Sequence, residues 1–337
     1  MSDAIVAESL VKSYNGTIKA VDGISFNVRP GEAFGFLGPN GAGKTTTVSM
    51  LTASLRPTSG RATIDGLDLL ARPEEVKRRI GVIFQEATAD QDLTGRENLE
   101  VAAGTFGISR ADGRARAQAL IDEMQLTDAA DRLAKTYSGG MRRRLELAAG
   151  LVHQPKILFL DEPTLGLDPQ GRAGFWRFIG QLRSRTGLTV FVTTHYLDEA
   201  DSMCDRIAII DHGKIVATGS PDELKNKLGG DVVTLRVAGG APDVSETIRA
   251  IAGVTAVQKQ DSTYRVKCAS GETLVPLAVQ ACSTAGAGIV GVSVKRPSLD
   301  EVFLEFTGRE FREEEGPSAT DRAVFMQNIR GQMGGRR

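Results

Sequence analysis

Eight consecutive residues, Gly38 to Thr45, have the types and spacing of a loop that binds phosphate. The segment reads Gly-Pro-Asn-Gly-Ala-Gly-Lys-Thr and matches the pattern G-x-x-x-x-G-K-[ST] at every required position. Glycines let backbone N–H groups point at an anion, and the start of a following helix adds partial positive charge. Lys44 is then expected to reach the β- and γ-phosphates of a nucleotide, and the Thr45 hydroxyl is expected to ligate Mg²⁺.

A second glycine turn, Ser138-Gly139-Gly140, lies about a hundred residues further along the chain. Met141, Leu145, Ala148 and Val152 follow it at the spacing of one face of a helix. A helix start of this kind also binds anions. The sequence therefore predicts two phosphate-binding helix starts in one chain.

The elements that must position these turns read as alternating strands and helices. A short apolar strand, Ala33 to Leu37, precedes the first loop, and helical spacing from Lys44 to Leu55 follows it. Further apolar strands are predicted at residues 157–160 and 188–192, and both lack the alternation of a half-exposed strand. Strands that are apolar throughout are typical of a parallel sheet buried on both faces, so we predict an α/β core.

Composition excludes several classes of protein. The 337 residues suggest two or three domains, and a net charge of −1 gives no reason to expect nucleic-acid binding. Three scattered cysteines fit a reducing compartment rather than a disulfide framework or a zinc site. The N-terminus lacks a signal-peptide pattern. The uncharged stretch between Glu272 and Lys295 is too polar and glycine-rich for a membrane helix, so no membrane span is predicted.

The composition changes after Gly229-Gly230. From there the pattern predicts the order β-α-β-β-α-β, which is a ferredoxin-like arrangement. The last segment is charged and glycine-rich with little apolar content, and we predict that it is disordered. The predicted organisation is a nucleotide-binding domain at 1–229 with a helical subdomain at about 86–153, an accessory domain at 230–308 and a disordered tail at 309–337.

The order of these motifs resembles the ATP-binding subunits of ABC transporters. The resemblance rests on the phosphate loop, Gln85, the turn at Ser138, the pair Asp161-Glu162, Leu167-Asp168 and His195, and it covers residues 4 to 230. Within that family the chain looks like the daunorubicin-resistance type of exporter ATPase, because of Met141 and the ending at residues 298–304. The resemblance implies a P-loop NTPase of ABC type, with a mixed-sheet core and a helical subdomain, plus a C-terminal ferredoxin-like α+β accessory domain.

The resemblance also implies roles for individual residues. Glu162 is expected to be the general base, with His195 contacting the γ-phosphate and Gln85 facing the metal and the attacking water. Tyr14 is expected to stack on adenine. Each of these residues could instead have a purely structural role. Glu162 would then be a carboxylate paired with an arginine, His195 a histidine at a strand end, Gln85 an exposed glutamine and Tyr14 a tyrosine in a turn. The predicted catalytic residues are Glu162, His195, Lys44 and Gln85; the nucleotide-binding residues are Tyr14, Gly38, Pro39, Asn40, Gly41, Ala42, Gly43, Lys44, Thr45, Thr46, Gln85, Asp161, Ser138, Gly139, Gly140 and Asp168; and the metal-binding residues are Thr45, Gln85 and Asp161.

By resemblance, Ser138-Gly139-Gly140 faces the ATP held by a second subunit, and Asp168 lies at that interface. In the run of three arginines at 142–144, Arg142 is the functional candidate and the others are expected to be solvated. The predicted function is an ATPase, with ATP and Mg²⁺ as cofactors, that dimerises and powers export of a drug or antibiotic through a separate membrane-spanning permease. We expect it in the cytoplasm, on the inner face of the cell membrane.

Two alternatives stay open. A non-transport ABC ATPase, such as a translation or DNA-repair factor, usually needs two cassettes or a long coiled coil, and the sequence has neither. A nucleotide-binding regulator without turnover is disfavoured because both Glu162 and His195 are present. Turnover of ATP by the purified protein separates these cases.

Overall fold

The computed structural model describes residues 2–15, 18–85, 88–228 and 230–308. They form two compact units, residues 2–196 with 208–215 and residues 197–207 with 216–308. The predicted disordered tail lies outside the described residues. No helix in the described part of the chain combines the length and the apolar character needed to cross a bilayer.

Strands and helices alternate through most of the first unit, as the pattern predicts. The strands are β1 (Ile5–Tyr14), β2 (Ile18–Val28), β3 (Ala33–Leu37), β4 (Ser59–Ile64), β5 (Leu67–Asp68), β6 (Ile80–Ile83), β7 (Ile157–Asp161), β8 (Thr189–Thr194), β9 (Arg206–Asp211), β10 (Lys214–Gly219), β11 (Asp231–Val237), β12 (Val254–Gln260), β13 (Thr263–Cys268) and β14 (Ile289–Lys295). The α-helices are α1 (Lys44–Leu51), α2 (Pro73–Arg79), α3 (Gly95–Thr105), α4 (Arg110–Glu123), α5 (Gly139–Leu151), α6 (Pro169–Thr186), α7 (Leu197–Met203), α8 (Pro221–Asn226), α9 (Ser245–Arg249), α10 (Gly271–Thr284) and α11 (Leu299–Thr307).

The central sheet has the strand order β10-β9-β3-β8-β7-β6, and β3, β8, β7 and β6 run parallel. Every residue of β3, β7 and β8 is buried, which agrees with their continuous apolar sequences. The carboxyl ends of parallel strands meet at one edge of a sheet, and ligands bind there. This topology brings together the segments that follow Leu37, Ile83, Asp161 and Thr194, which carry the predicted site.

A second sheet, of order β2-β1-β4-β5, is antiparallel and was not foreseen in full. The alternation of apolar residues in β1 is broken by a bulge, where Ser9 has a φ of 47° and the pairing with β2 shifts. This irregularity hides β1 from a pattern search. Phe26 of this sheet stacks on Phe34 of the central sheet with ring centroids 5.6 Å apart, so aromatic rings join the two sheets into one core.

Helices α3, α4 and α5 pack on one another within the predicted helical subdomain. The predicted capping box at Thr94 and Glu97 is present at the start of α3. Helix α1 is shorter than the predicted Lys44–Leu55, because Ala53 adopts a φ of 55° and ends the helical path at Leu51.

The second unit contains the predicted β-α-β-β-α-β order. Its antiparallel sheet has the strand order β12-β13-β11-β14, and helices α9 and α10 pack on it. A separate apolar core, which includes Val233, Leu235, Tyr264 and Leu274, holds these elements together. The ferredoxin-like arrangement is therefore confirmed.

Candidate active site

The first glycine turn leads directly from the end of β3 into α1. Gly41 and Gly43 have φ values of 79° and 108°, which residues with a side chain rarely adopt. A Cβ atom at Gly43 would lie 2.4 Å from the carbonyl oxygen of Ala20, and one at Gly38 would lie 2.3 Å from that of Ile210. Glycine is therefore required at both ends of the turn by the chain's own backbone.

Lys44 is buried at the start of α1, and its ammonium group lies inside the turn. Its Nζ donates to the carbonyl oxygens of Gly38, at 2.8 Å, and Pro39, at 3.2 Å, and lies 3.3 Å from Glu162 Oε1. Burial lowers the pKa of Lys44, while the nearby carboxylates of Glu162 and Asp161 oppose that shift. A cation surrounded by neutral carbonyls and one carboxylate is positioned to exchange those partners for a phosphate.

The remaining residues of the loop differ in exposure. Ala42 is buried and its N–H donates to the carbonyl oxygen of Pro39 at 3.2 Å, which closes the turn. Asn40, Gly41 and Thr45 are exposed at its surface. The loop thus presents exposed backbone and one hydroxyl to a ligand while its lysine stays covered.

Asp161 ends β7 and is buried beside the helix start. The Thr193 hydroxyl donates a hydrogen bond to Asp161 Oδ1. Burial raises the pKa of Asp161, and Thr193, the nearby Thr45 side chain and Lys44 oppose the increase. No group of three or more His, Cys, Asp or Glu residues in the described chain could hold a metal alone. A hydroxyl and one carboxylate instead fit Mg²⁺, which usually takes its other ligands from phosphates and water.

Glu162 follows Asp161 and has a φ of 47°, a left-handed conformation for a residue with a long side chain. Such a conformation costs about 1–3 kcal/mol and persists where neighbouring groups hold it. Here the Glu162 N–H donates to both the carbonyl and the hydroxyl oxygens of Thr193, each at 3.1 Å. This backbone conformation places the Glu162 side chain near Lys44 and His195, at the carboxyl ends of the parallel strands.

The Glu162 carboxylate lies between two cationic or proton-carrying groups. Oε1 is 3.3 Å from Lys44 Nζ, and Oε2 is 3.3 Å from His195 Nδ1, although that nitrogen lacks the alignment of a hydrogen bond. Burial by itself raises the pKa of Glu162, but His195 and Lys44 together outweigh it and hold the pKa below its usual value. His195 follows the end of β8, is half-buried and packs against the ring of Tyr196 at a centroid distance of 4.1 Å.

Tyr14 and Gln85 lie at the margins of this cluster. Tyr14 ends β1. Burial raises the pKa of its hydroxyl, and the nearby Thr46 side chain of α1 opposes that increase. The structure thus brings Tyr14 to the helix of the phosphate loop, although the two are more than thirty residues apart. Gln85 lies two residues beyond the end of β6 and is partly buried.

The second glycine turn is open to solvent. Ser138 caps α5, and its hydroxyl accepts from the Met141 N–H at 3.3 Å. Ser138 and Gly139 are exposed. Asp168 is likewise exposed and caps α6, where its Oδ1 accepts from the Gly171 N–H at 2.6 Å. Both helix starts present N–H groups to whatever approaches from outside.

Two family models match this chain. The ABC transporter model matches residues 21–165, and the model for the C-terminal domain of DrrA1-3-like ATP-binding proteins matches residues 219–307. The daunorubicin/doxorubicin resistance ATP-binding protein DrrA of Streptomyces peucetius is 47% identical over 307 residues, which are 90% of this chain and 92% of that protein. The linearmycin resistance ATP-binding protein LnrL of Bacillus subtilis is 36% identical over 310 residues, 91% and 99% of the two chains. The chain belongs to the ABC transporter family.

Solved structures of ABC cassettes share its fold. A dimer of the ATP-binding cassette MJ0796 in a post-hydrolysis state with ADP and Pi superposes with a TM-score of 0.59 and 26% identity, over 64% of this chain and 98% of that chain. The cassette cbiO1 of Clostridium perfringens gives a TM-score of 0.62 and 26% identity, over 66% and 91%. Its ABC ATP-binding domain makes this chain an ATPase, and its second unit is that of the daunorubicin-resistance group.

Two residues of this ABC site were not foreseen. Thr193 anchors both Asp161 and Glu162, and the signal available was a polar pair that ends an otherwise apolar strand. Arg143 is buried, with 8% of its surface exposed, whereas the sequence had suggested a solvated side chain. The one local signal was Glu146, three residues later on the same helix, which pairs with Arg143 at 2.9 Å.

Proposed function

We propose that this chain is the ATP-hydrolysing subunit that powers export of a drug, antibiotic or other hydrophobic compound through a separate membrane-spanning subunit. The observation that carries the proposal is the position of Glu162 between Lys44 and His195 beside a complete phosphate loop. The export role is supported by relatives named for resistance to daunorubicin, doxorubicin and linearmycin.

In the proposed mechanism, the loop binds the phosphates of ATP through its N–H groups and the start of α1. Lys44 leaves the carbonyls of Gly38 and Pro39 and contacts the β- and γ-phosphates. Tyr14, held against Thr46, provides a flat face for adenine. Thr45, Asp161 and Gln85 would hold Mg²⁺, which when bound neutralises charge on the phosphates.

Glu162 acts as the general base in this mechanism. It accepts a proton from the attacking water as the water oxygen bonds to the γ-phosphorus and the bond to the ADP oxygen breaks. Movement of Lys44 to the phosphates frees Glu162 Oε1 from its ion pair, so that oxygen can accept the proton of the water. His195, on the other side of the carboxylate, orients the water and contacts the γ-phosphate.

The exposed turn at Ser138, Gly139 and Gly140 would complete the site of a second copy, with Asp168 at the same interface. Two ATP molecules would then be enclosed between two copies. Hydrolysis to ADP and phosphate would let the two copies separate. Closure drives transport only if ATP binds the closed state more tightly than the open one. Residues 230–308 are an accessory domain in this scheme and help hold or regulate the dimer at the inner face of the membrane.

Glu162→Gln tests the proposal, because it keeps the size of the side chain and removes the base. Hydrolysis is expected to fall about 10²–10³-fold, while the Kd for ATP changes less than threefold and an ATP-bound dimer accumulates in gel filtration. Glu74→Gln, the same change at an exposed residue of α2 that pairs with Lys77, is the matched control. Hydrolysis by Glu162→Gln at the wild-type rate contradicts the role of Glu162.

The export role is tested separately. When this chain is expressed together with a candidate membrane-spanning partner, cells are expected to accumulate less of a fluorescent anthracycline than cells that express the Glu162→Gln form with the same partner. Equal accumulation contradicts anthracycline export and leaves the hydrolytic mechanism intact.

A further inference from the structure

Arg143 on α5 connects three segments of the proposed active site through one buried guanidinium group. Its Nε donates to the carbonyl oxygen of Pro163 at 2.6 Å, and its Nη1 donates to that of Phe84 at 2.8 Å. Nη2 lies 3.5 Å from the carbonyl oxygen of Glu162. Nη1 also pairs with Glu146 Oε2 at 2.9 Å, so the buried charge is neutralised within α5.

These carbonyl groups belong to Glu162, the proposed base, and to residues next to it or next to Gln85 in the chain. Phe84 directly precedes Gln85, and Glu162 and Pro163 form the turn that aims the proposed base. The left-handed backbone of Glu162 is held on its N–H side by Thr193 and on its carbonyl side by Arg143. A strained turn stays in place only when both sides are fixed.

We propose that Arg143 is a positioning residue that sets the backbone of Gln85 and Glu162 and links both to the start of α5. The inference rests on the proposed function, since it assigns Arg143 a part in the action of Glu162. Arg143 is the fifth residue of α5, one turn from the cap Ser138. A partner that binds the exposed turn at Ser138 therefore contacts the start of the same helix whose Arg143 bonds to the backbone of the proposed general base, Glu162.

The geometry explains why this position needs arginine. A planar guanidinium presents donors in fixed directions and reaches several acceptors at once, whereas a lysine ammonium offers one compact group on a flexible chain. Lysine at this site keeps the positive charge opposite Glu146 but cannot span Phe84 and Pro163 together. The substitution Arg143→Lys thus separates positioning from charge.

The matched control is Arg144→Lys on the same helix. Arg144 also donates to backbone carbonyls, those of Met124 and Gln125, but these lie away from the phosphate loop. We expect Arg143→Lys to lower kcat at least tenfold with the KM for ATP and the Kd for ATP changed less than twofold. Arg144→Lys is expected to keep kcat within twofold of the wild type.

Hydrogen exchange measures the positioning without relying on turnover. Peptides that cover residues 81–85 and 160–166 are expected to exchange faster in Arg143→Lys than in the wild type and in Arg144→Lys, with other peptides unchanged. In the Glu162→Gln background, Arg143→Lys should lower the residual rate no more than twofold, because the two residues act as one unit.

The inference is overturned if Arg143→Lys keeps both kcat and the exchange of these peptides at wild-type values. The inference is also overturned if the loss of kcat caused by Arg143→Lys adds in full to the loss caused by Glu162→Gln. A loss of nucleotide affinity as large as the loss of kcat in Arg143→Lys would overturn it as well. If Arg143→Lys does not fold, the double variant Arg143→Gln, Glu146→Gln removes both charges and gives the same readouts. Wild-type turnover by Glu162→Gln refutes the proposed function instead, which keeps the two failures distinguishable.

Discussion

The two glycine turns of this ABC protein look alike in sequence but differ in how closely the rest of the chain packs around them. The first, before α1, is enclosed: its lysine is buried, and two of its glycines have backbone atoms of the same chain within 2.4 Å of where a Cβ would be. The second, before α5, is exposed, and a Cβ at Gly139 or Gly140 would have no neighbour within 4 Å. Both turns lead into helix starts, and only the second has a side-chain cap, from Ser138.

The difference indicates where each turn finds its ligand. In the enclosed turn the chain's own packing requires glycine, and Lys44, Asp161 and Glu162, which we propose act on a phosphate, lie beside it. In the exposed turn no atom within the chain requires glycine, and glycine at the start of a helix carries an entropic cost. The open space at Gly139 and Gly140 leaves room for close approach by a molecule outside the chain, which fits the proposed dimer.

The largest difference between the two turns is expected in the Kd for ATP, and Lys44→Ala is the variant that tests it. Removing the buried ammonium is expected to raise the Kd for ATP of the isolated chain about 10–100-fold, because a hydrogen bond to a charged group contributes about 1.5–3 kcal/mol. Ser138→Ala, the matched change at the exposed turn, is expected to leave that Kd within twofold and to lower only hydrolysis. Isothermal titration with ATP measures both; equal losses would remove the distinction between the turns.

A smaller effect, on stability, is expected from paired glycine substitutions. Gly43→Ala forces a side chain into a left-handed backbone against the Ala20 carbonyl and is expected to destabilise the fold by about 1–3 kcal/mol or more. Gly140→Ala is expected to stabilise it by about 0.4–1 kcal/mol, because it lowers the entropy of the unfolded chain in a position with free space. Urea unfolding of the two variants checks the signs, and a destabilising Gly140→Ala would show that the exposed turn is constrained from within.

A further effect on stability, one that depends on pH, is expected from Asp161→Asn. The buried cluster of Lys44, Asp161 and Glu162 carries one net negative charge, and burial holds the pKa of Asp161 above its ordinary value of 3.8. The folded state therefore binds the proton more tightly, so this residue lowers stability as pH rises from the ordinary pKa through the folded one. Asp161→Asn is expected to be more stable than the wild type at pH 7 by about 1 kcal/mol, while losing hydrolysis.

The measurement for Asp161→Asn is the difference between two curves of unfolding free energy against pH. The gap between variant and wild type should close as the pH falls toward the ordinary pKa of aspartate. Asp128→Asn, at an exposed position in the segment that follows α4, serves as the control for loss of a carboxylate elsewhere in the chain. A gap that stays constant with pH would mean that the stabilisation does not come from the charge of Asp161.

Prediction from the sequence succeeded where chemistry and spacing are local. The strand and glycine turn before Lys44, the capping box at Thr94 and the β-α-β-β-α-β order after Gly230 each depend on neighbouring residues, and each is confirmed. It failed where an element depends on a distant partner. Strand β1 is interrupted by a bulge at Ser9, so its apolar alternation is visible only once β2 and β4 are paired with it.

By itself, the sequence determined the phosphate loop, the residues that end the parallel strands and the family to which the chain belongs. Only the tertiary structure decided how those strand ends share one site. It showed that Glu162 lies between Lys44 and His195 and that Thr193 bonds to both Asp161 and Glu162. It also showed that Arg143 is buried with hydrogen bonds to the carbonyl groups of Pro163 and Phe84. The physical reason is that arginine is buried only where partners neutralise it, and a run of three arginines does not show which of them meets such partners. The carbonyl groups that the fold brings to Arg143 from residues 20 and 59 positions away decide that it is the buried one.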